Sequence, residues 1–260
     1  MERRYELHLD PLRAELIEVP GVEVRVVERC TSTNSVLLSE KSGARILLAA
    51  EEQTAGRGRH GRRWESAPGA DIAFSLLCPV RRPARELASL SLVAAVAAVS
   101  ALRLLGVGAV SVKWPNDLLA GGAKLGGILV ETRQEGAATR AVFGFGINCA
   151  RRPGLERRLR RPVAALDQFV RPSRNRVIGA VARSLLGALE RFEAEGFAGA
   201  RAEWEAMDAH AGQRLRLRLA NGRSISGIDA GLAADGALRL VTRRGERTVH
   251  SGRIVSARLA

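Results

Sequence analysis

The chain has 260 residues, 46% of them hydrophobic, which is enough to bury a sizeable core and argues against intrinsic disorder or a low-complexity scaffold. Three scattered cysteines, Cys30, Cys78 and Cys149, form neither a disulfide framework nor a zinc cluster, so a reducing cytoplasm is the expected setting. The net charge of +14 invites a nucleic-acid reading, but lysine occurs only at positions 41, 113 and 124, and arginine supplies the other 38 cations along the whole chain, which points to a general arginine bias.

The N-terminus, MERRYELHLD, lacks an apolar stretch of signal-peptide type. Residues 22–27 alternate as a strand, Thr31 to Ser35 offer helix-capping chemistry before Val36, and residues 46–50 form a second strand. Pro83 opens an alanine- and leucine-rich helix that Gly106 ends; Arg103 interrupts this apolar stretch, so a buried helix is expected and not a membrane span. A second amphipathic helix is expected over 173–195, stopped by Gly196. Beyond Ala211 short alternating runs, broken by Asn221-Gly222, Asp235-Gly236, Arg244-Gly245 and Ser251-Gly252, predict a small all-β unit of about five strands. There Arg214, Arg216 and Arg218 alternate with leucines, and a solvated strand face is preferred to a docking surface.

Two segments carry chemistry. Gly56-Arg57-Gly58-Arg59-His60-Gly61 has the spacing of a dinucleotide-binding turn, but Arg62, Arg63, Trp64 and Pro68 do not open a helix, and Arg81 and Arg82 stand about twenty residues on, where an acid is required. No Lys-Ser or Lys-Thr follows, so a P-loop is excluded as well. What remains is a flexible glycine loop that brings backbone and arginines to an anion. The second segment runs Lys113-Trp114-Pro115-Asn116-Asp117 to Gly121-Gly122 and on through Lys124-Leu125-Gly126-Gly127 to Glu131. A two-residue turn at Gly121-Gly122 sets Leu119 opposite Lys124 and Asp117 opposite Gly126, so Asp117 and Lys124 share one face as diagonal neighbours. Clustered cations with an Asn-Asp pair able to hold magnesium suit the joining of a carboxylate to the α-phosphate of ATP, which brings two anions together; a closing loop would shield the product from water.

These segments resemble those of biotin protein ligases. The loop at 56–64 is similar to the family's biotin- and adenylate-binding loop, 113–117 to its Lys-Trp-Pro-Asn-Asp motif, 124–131 to the strand that follows, and Gly144-Phe145-Gly146-Ile147-Asn148 to a late segment of the family. The resemblance covers most of the chain. It implies an α+β fold, with a catalytic domain over 1–211 like that of class II aminoacyl-tRNA synthetases (a mixed sheet flanked by helices) and an SH3-like β-barrel over 212–260. It implies Ser32, Thr33, Asn34 and Gln53 as biotin contacts, together with Arg57, Gly58, Arg59 and Lys124. Arg59, Arg62, Trp64, Asn116, Asp117, Lys124 and Asn148 are implied as nucleotide contacts, with Trp64 stacking on adenine. Lys124 and Arg59 are implied as catalytic, and Asn116 and Asp117 as ligands of the Mg2+ that accompanies ATP. The implied partner is a biotin carboxyl carrier protein. Fewer than thirty residues precede the first motif, so a DNA-binding domain is not expected; no membrane association is expected, and a homodimer is compatible with a sequence that carries no signal on it. His60 stands where a second arginine is common, and the family's second adenylate-ordering loop is not located within 151–174. The rivals are a lipoate ligase or transferase of the same fold and, in another class, a basic nucleic-acid-binding module.

Overall fold

The computed structural model describes residues 10–135, 138–171 and 173–259. A seven-stranded mixed sheet dominates, in the order β1-β2-β3-β7-β6-β5-β4, with strands β1 (Glu23–Cys30), β2 (Ile46–Gln53), β3 (Asp71–Val80), β4 (Val110–Lys113), β5 (Asp117–Ala120), β6 (Ala123–Glu135) and β7 (Ala138–Asn148). Only β1 and β2 pair in parallel, because helix α1 (Thr33–Leu38) carries the chain over the sheet between them; the other neighbours are antiparallel.

Both faces of the sheet centre are covered, which is why β3 is apolar nearly end to end and does not alternate. Ile72, Phe74, Leu76, Cys78 and Val80 point to the main core under helices α2 (Leu90–Leu104) and α4 (Arg174–Glu195), while Leu77 points the other way, to Leu37 of α1 with Ile46, Leu48 and Val142. Phe74 stacks on Phe145 of β7 with centroids 4.9 Å apart. On the α1 face the odd position Ser75 is fully buried beneath Thr33 and Asn34, and the ligand-facing chemistry begins there.

The helical stretch Ala84–Leu104, which includes α2, is long and apolar enough to cross a membrane by composition, but α2 packs against α4, α5 (Ala198–Ala206) and β4 as a core helix. Gly106 and Gly196, with φ of +94° and +68°, end α2 and α4 where the sequence places their stops.

The remaining strands, β8 (Arg214–Arg218), β9 (Ser224–Leu232), β10 (Leu238–Thr242), β11 (Gly245–Val249) and β12 (Arg253–Arg258), form a second, antiparallel sheet in the order β11-β10-β9-β8-β12. Together the mixed sheet with its helices and this small sheet give the synthetase-like catalytic fold with an SH3-like appendage. Gly222, Gly236 and Gly245 all have positive φ at their turns, as the sequence requires. Ser251-Gly252 differs: β11 and β12 lie on opposite edges, so this stretch is a crossover and not a hairpin turn. Trp114, buried between β4 and β5, donates from Nε1 to the Gly236 carbonyl at 3.2 Å and ties the two sheets together.

Candidate active site

The hairpin of β5 and β6 turns on Gly121-Gly122, with φ of +57° and +78°. Ala120 faces Ala123 and Leu119 faces Lys124 as expected, but then the register slips: Leu118 faces Gly126 and Asp117 faces Gly127, not Gly126. Leu125 is the extra residue. Its fully buried side chain pulls one residue of β6 out of the ladder, and this β-bulge re-aims Lys124. The ammonium of Lys124 donates to Asp117 Oδ1, and Gly127, lacking a Cβ, leaves room for the lysine to lie over it.

The loop after β2 is more ordered in its hydrogen bonding than a flexible glycine loop requires. Gly58 N–H donates to Arg62 O (2.7 Å), Trp64 N–H donates to Gly56 O (2.9 Å), and a left-handed corner at His60 and Gly61 (φ +56° and +70°) closes a miniature antiparallel turn. Arg57 reaches Glu131 Oε2 on β6 at 2.9 Å. The indole of Trp64 lies on Gly146, where a Cβ would come within 2.4 Å of the ring, so the late Gly-x-Gly exists to admit this side chain and one other.

That other side chain is Asn34. Its Oδ1 occupies the space of the missing Gly144 Cβ, 2.1 Å from where that atom would be. Its Nδ2 donates to the Leu129 carbonyl (3.2 Å) and Glu131 Oε2 (2.9 Å). Asn34 Oδ1 can only accept, so Ser75 donates to it (2.6 Å); the Thr33 hydroxyl lies 2.7 Å from Ser75 Oγ and donates to Gln53 Oε1 (3.1 Å). Gln53 Oε1 then takes the Thr33 backbone N–H at 2.8 Å, which orients the Gln53 carboxamide with its NH2 group toward Gly56. The result is a fixed array of polar groups on the α1 face.

All of this surrounds one cavity of about 550 Å3. Nine cationic side chains line it against a single carboxylate, Asp117. Burial pushes Lys124 and Lys113 below the usual lysine range, and Asp117 opposes the fall in both. Burial likewise lowers Arg59, again opposed by Asp117, and Arg62, which Arg253 lowers further. Such crowding of positive charge around one acid is an arrangement for a ligand with several negative charges.

Of the residues singled out from sequence, Ser32, Thr33, Asn34, Gln53, Arg57, Gly58, Arg59, Arg62, Trp64, Asn116, Asp117 and Lys124 all line this cavity. Asn148 does not: it is buried, and its Nδ2 donates to the carbonyls of Ala164 (2.9 Å) and Lys124 (3.3 Å), so it corrects from a nucleotide contact to a brace behind the lysine. Sequence reasoning missed two contributors. Leu159 to Arg161, at the end of helix α3 (Leu155–Leu159), flank the cavity, because Lys124 N–H donates to Pro162 O and Ala164 N–H to Lys124 O. This stretch is fastened to the loop beyond Trp64 by Arg158–Glu65 (2.5 Å) and Arg152–Asp71 (3.2 Å), and burial raises Asp71 to about 6. The second contributor is Gly252 to Val255, delivered by the β11–β12 crossover. No local pattern marks either.

The matches to known proteins fall on the same features. Residues 26–148 match the Biotin/lipoate A/B protein ligase family, and residues 210–255 match the Biotin protein ligase C terminal domain. The Biotin--[acetyl-CoA-carboxylase] ligase of Mycobacterium tuberculosis is 36% identical, over 87% of this chain and 85% of that protein. The chain belongs to the biotin protein ligases. The Bifunctional ligase/repressor BirA of Escherichia coli is 37% identical to this ligase, over 86% of the chain and 70% of BirA. Among solved structures, a biotin protein ligase from Aquifex aeolicus in complex with biotin and ATP superposes with a TM-score of 0.78 at 25% identity, covering 92% of this chain and 99% of the other. The first domain match is shared with lipoate ligases; the second, and the relatives, select biotin.

Proposed function

We propose that this ligase joins biotin to ATP as biotinyl-5'-AMP and then transfers the acyl group to a lysine of a biotin carboxyl carrier protein of a carboxylase. In the first step a biotin carboxylate oxygen bonds to the α-phosphorus and pyrophosphate leaves. In the second the acceptor amine bonds to the acyl carbon, AMP leaves, and the amine proton passes to solvent. One observation carries the reading: Arg59 of the glycine loop and Lys124 and Asp117 of the β5–β6 hairpin meet in the same cavity as the polar array on α1, three segments that lie apart in the chain.

Neither step needs a nucleophilic side chain; both need neutralised charge and fixed approach. Lys124 is the natural partner of the reacting carboxylate and α-phosphate: burial lowers it, and the Asp117 carboxylate in contact with it opposes that fall. Thr33, Asn34 and Gln53, held by hydrogen bonds to one another and to Ser75, together with Ser32 on the same wall of the cavity, suit the ureido ring. Arg57, Gly58 and Arg59 cover the mixed anhydride, and Arg62 and Trp64 face the nucleotide. Magnesium arrives with ATP as part of the substrate. Asn116 donates its Nδ2 to Ile128 O at 2.6 Å, which leaves its Oδ1 as an oxygen donor in the cavity that Asp117 also lines. Among the described residues no group of three acids, histidines or cysteines gathers to hold a metal, and one carboxylate with one amide fits an ion that takes its other ligands from phosphate and water.

The test is direct. The protein is incubated with ATP, magnesium, a carrier domain and either biotin or lipoate, and the intact mass of the carrier is read. A biotinyl mass increase is expected; its absence, or a lipoyl increase instead, refutes the reading.

A further inference from the structure

Charge is not distributed over this ligase as its arginine count suggests. Residues 212–260 hold ten arginines against three acids, a net +7, which equals the excess carried by the 211 residues before them. The three acids are already committed: Glu246 pairs with Arg239 at 2.7 Å, Asp235 lies 3.3 Å from His250, and Asp229 is buried. Among the described residues, none of the other nine arginines of this sheet forms an ion pair. Uncompensated charge on this scale makes the surface attractive to any anion and repulsive to itself.

The arginines are also placed in order. Arg253, on the rim of the active-site cavity, stands opposite Arg218 across the β12–β8 ladder, and Arg258 stands opposite Arg214 farther along the same pair. Arg214 in turn borders a groove of about 720 Å3, lined by Arg223, Arg243, Arg244, Arg247, Ser224 and Thr242 with no acid among its walls. Like charges opposed across a ladder destabilise a sheet, so this arrangement is held against its own electrostatics. The track starts at the cavity and leads outward over the sheet.

We propose that this arginine face docks an acidic face of the protein that accepts biotin. The inference rests on the ligase reading, which requires a protein to overlie the cavity rim each time a lysine enters. A partner that must leave after every turnover is served by long-range steering more than by an apolar interface, and residues 212–260 contain no Phe, Trp or Tyr to build such an interface or to stack bases.

The full chain and its Arg243→Ser/Arg244→Ser/Arg247→Ser variant are compared in two assays: biotin-dependent pyrophosphate exchange, and transfer to an isolated carrier domain of net negative charge. Exchange is expected to stay within about twofold of wild type, while KM for the carrier rises about tenfold near 50 mM KCl, the difference shrinking toward 500 mM as salt screens the surface. An unchanged carrier KM in the variant overturns the proposal. So does a wild-type carrier KM that is insensitive to salt, a measurement independent of how the variant folds. A duplex DNA probe that binds wild type and is lost by the variant, with carrier KM unmoved, reassigns the surface to nucleic acid. No exchange in the wild-type protein sinks the ligase reading itself.

Discussion

Gly144→Ala is the sharpest test of how the polar array is held. The added carbon would stand 2.1 Å from Asn34 Oδ1 and 2.9 Å from Asn34 Cγ, whereas ordinary contact begins at 3.4 Å, so the carboxamide must retreat by more than an ångström. Asn34 is 3% exposed and has nowhere to go without breaking its bonds to Ser75, Leu129 and Glu131. Stranding buried partners costs about 1–3 kcal/mol per group, so a total loss of about 2–4 kcal/mol is expected after partial relaxation. In a domain of this size that lowers Tm by about 5–12 °C. Biotin affinity should fall about 10- to 100-fold, and by more than ATP affinity, because the array holds none of the nucleotide contacts proposed above. Calorimetric melting and titration with biotin and with ATP measure both. The double variant Asn34→Ala/Gly144→Ala should melt where Asn34→Ala alone does, since the clash is gone. If Gly144→Ala melts within about 1 °C of wild type and binds biotin normally, the packing described for Asn34 is wrong.

Lys124→Ala should nearly abolish biotin-dependent pyrophosphate release, because the ammonium at the reacting centre is lost; near-normal release removes that role from the lysine. Arg59→Gly should let biotinyl-5'-AMP escape and label bystander lysines, read by mass spectrometry of an added protein; labelling that remains confined to the carrier removes that role from Arg59. Asp208 and Asp229 oppose each other at the junction of the two sheets, where burial and then the neighbouring carboxylate raise Asp208 to about 8. The folded state therefore holds a proton that the unfolded chain releases near pH 4, and stability falls as pH rises from there through about 8. Asp208→Asn should flatten this dependence and raise Tm at pH 9 by roughly 5 °C; equal slopes of Tm against pH in both proteins would refute the shared proton.

The sequence announced the parts whose cause is local. Glycines after α2 and α4 stop those helices because only a left-handed residue continues the chain there, and Asn221-Gly222 and Asp235-Gly236 fix hairpins for the same reason. Twelve of the thirteen expected site residues reach one cavity because they sit at the start of α1, at the end of β2 and in the glycine loop after it, and at the β5–β6 hairpin, where the motifs dictate the local geometry. What failed was tertiary in origin. The Leu125 bulge depends on a core position that pulls on β6 from below, and period-two counting does not detect it. Asn148 looked free to bind because nothing near it in sequence shows that Lys124 and Ala164 present carbonyls to it. Leu159 to Arg161 and Gly252 to Val255 enter the site through pairings with strands far away in the chain.

The same crowding that makes the cavity attractive to anions makes the empty enzyme costly. Burial depresses Lys113, Lys124, Arg59 and Arg62 together, and most of them feel one another through a space in which Asp117 is the single acid. An anionic ligand that enters relieves every one of these repulsions at once, so its binding energy includes the strain released and stabilises the fold by linkage. On the function proposed above, biotinyl-5'-AMP would engage the polar array on α1 and the whole set of cations at once, whereas biotin would reach the array and Lys124 and a nucleotide the cationic end alone. The covalent joining of the two ligands would then create the species this cavity holds most firmly, and release would fall to the incoming lysine, whose attack divides the anhydride into halves that each bind less well.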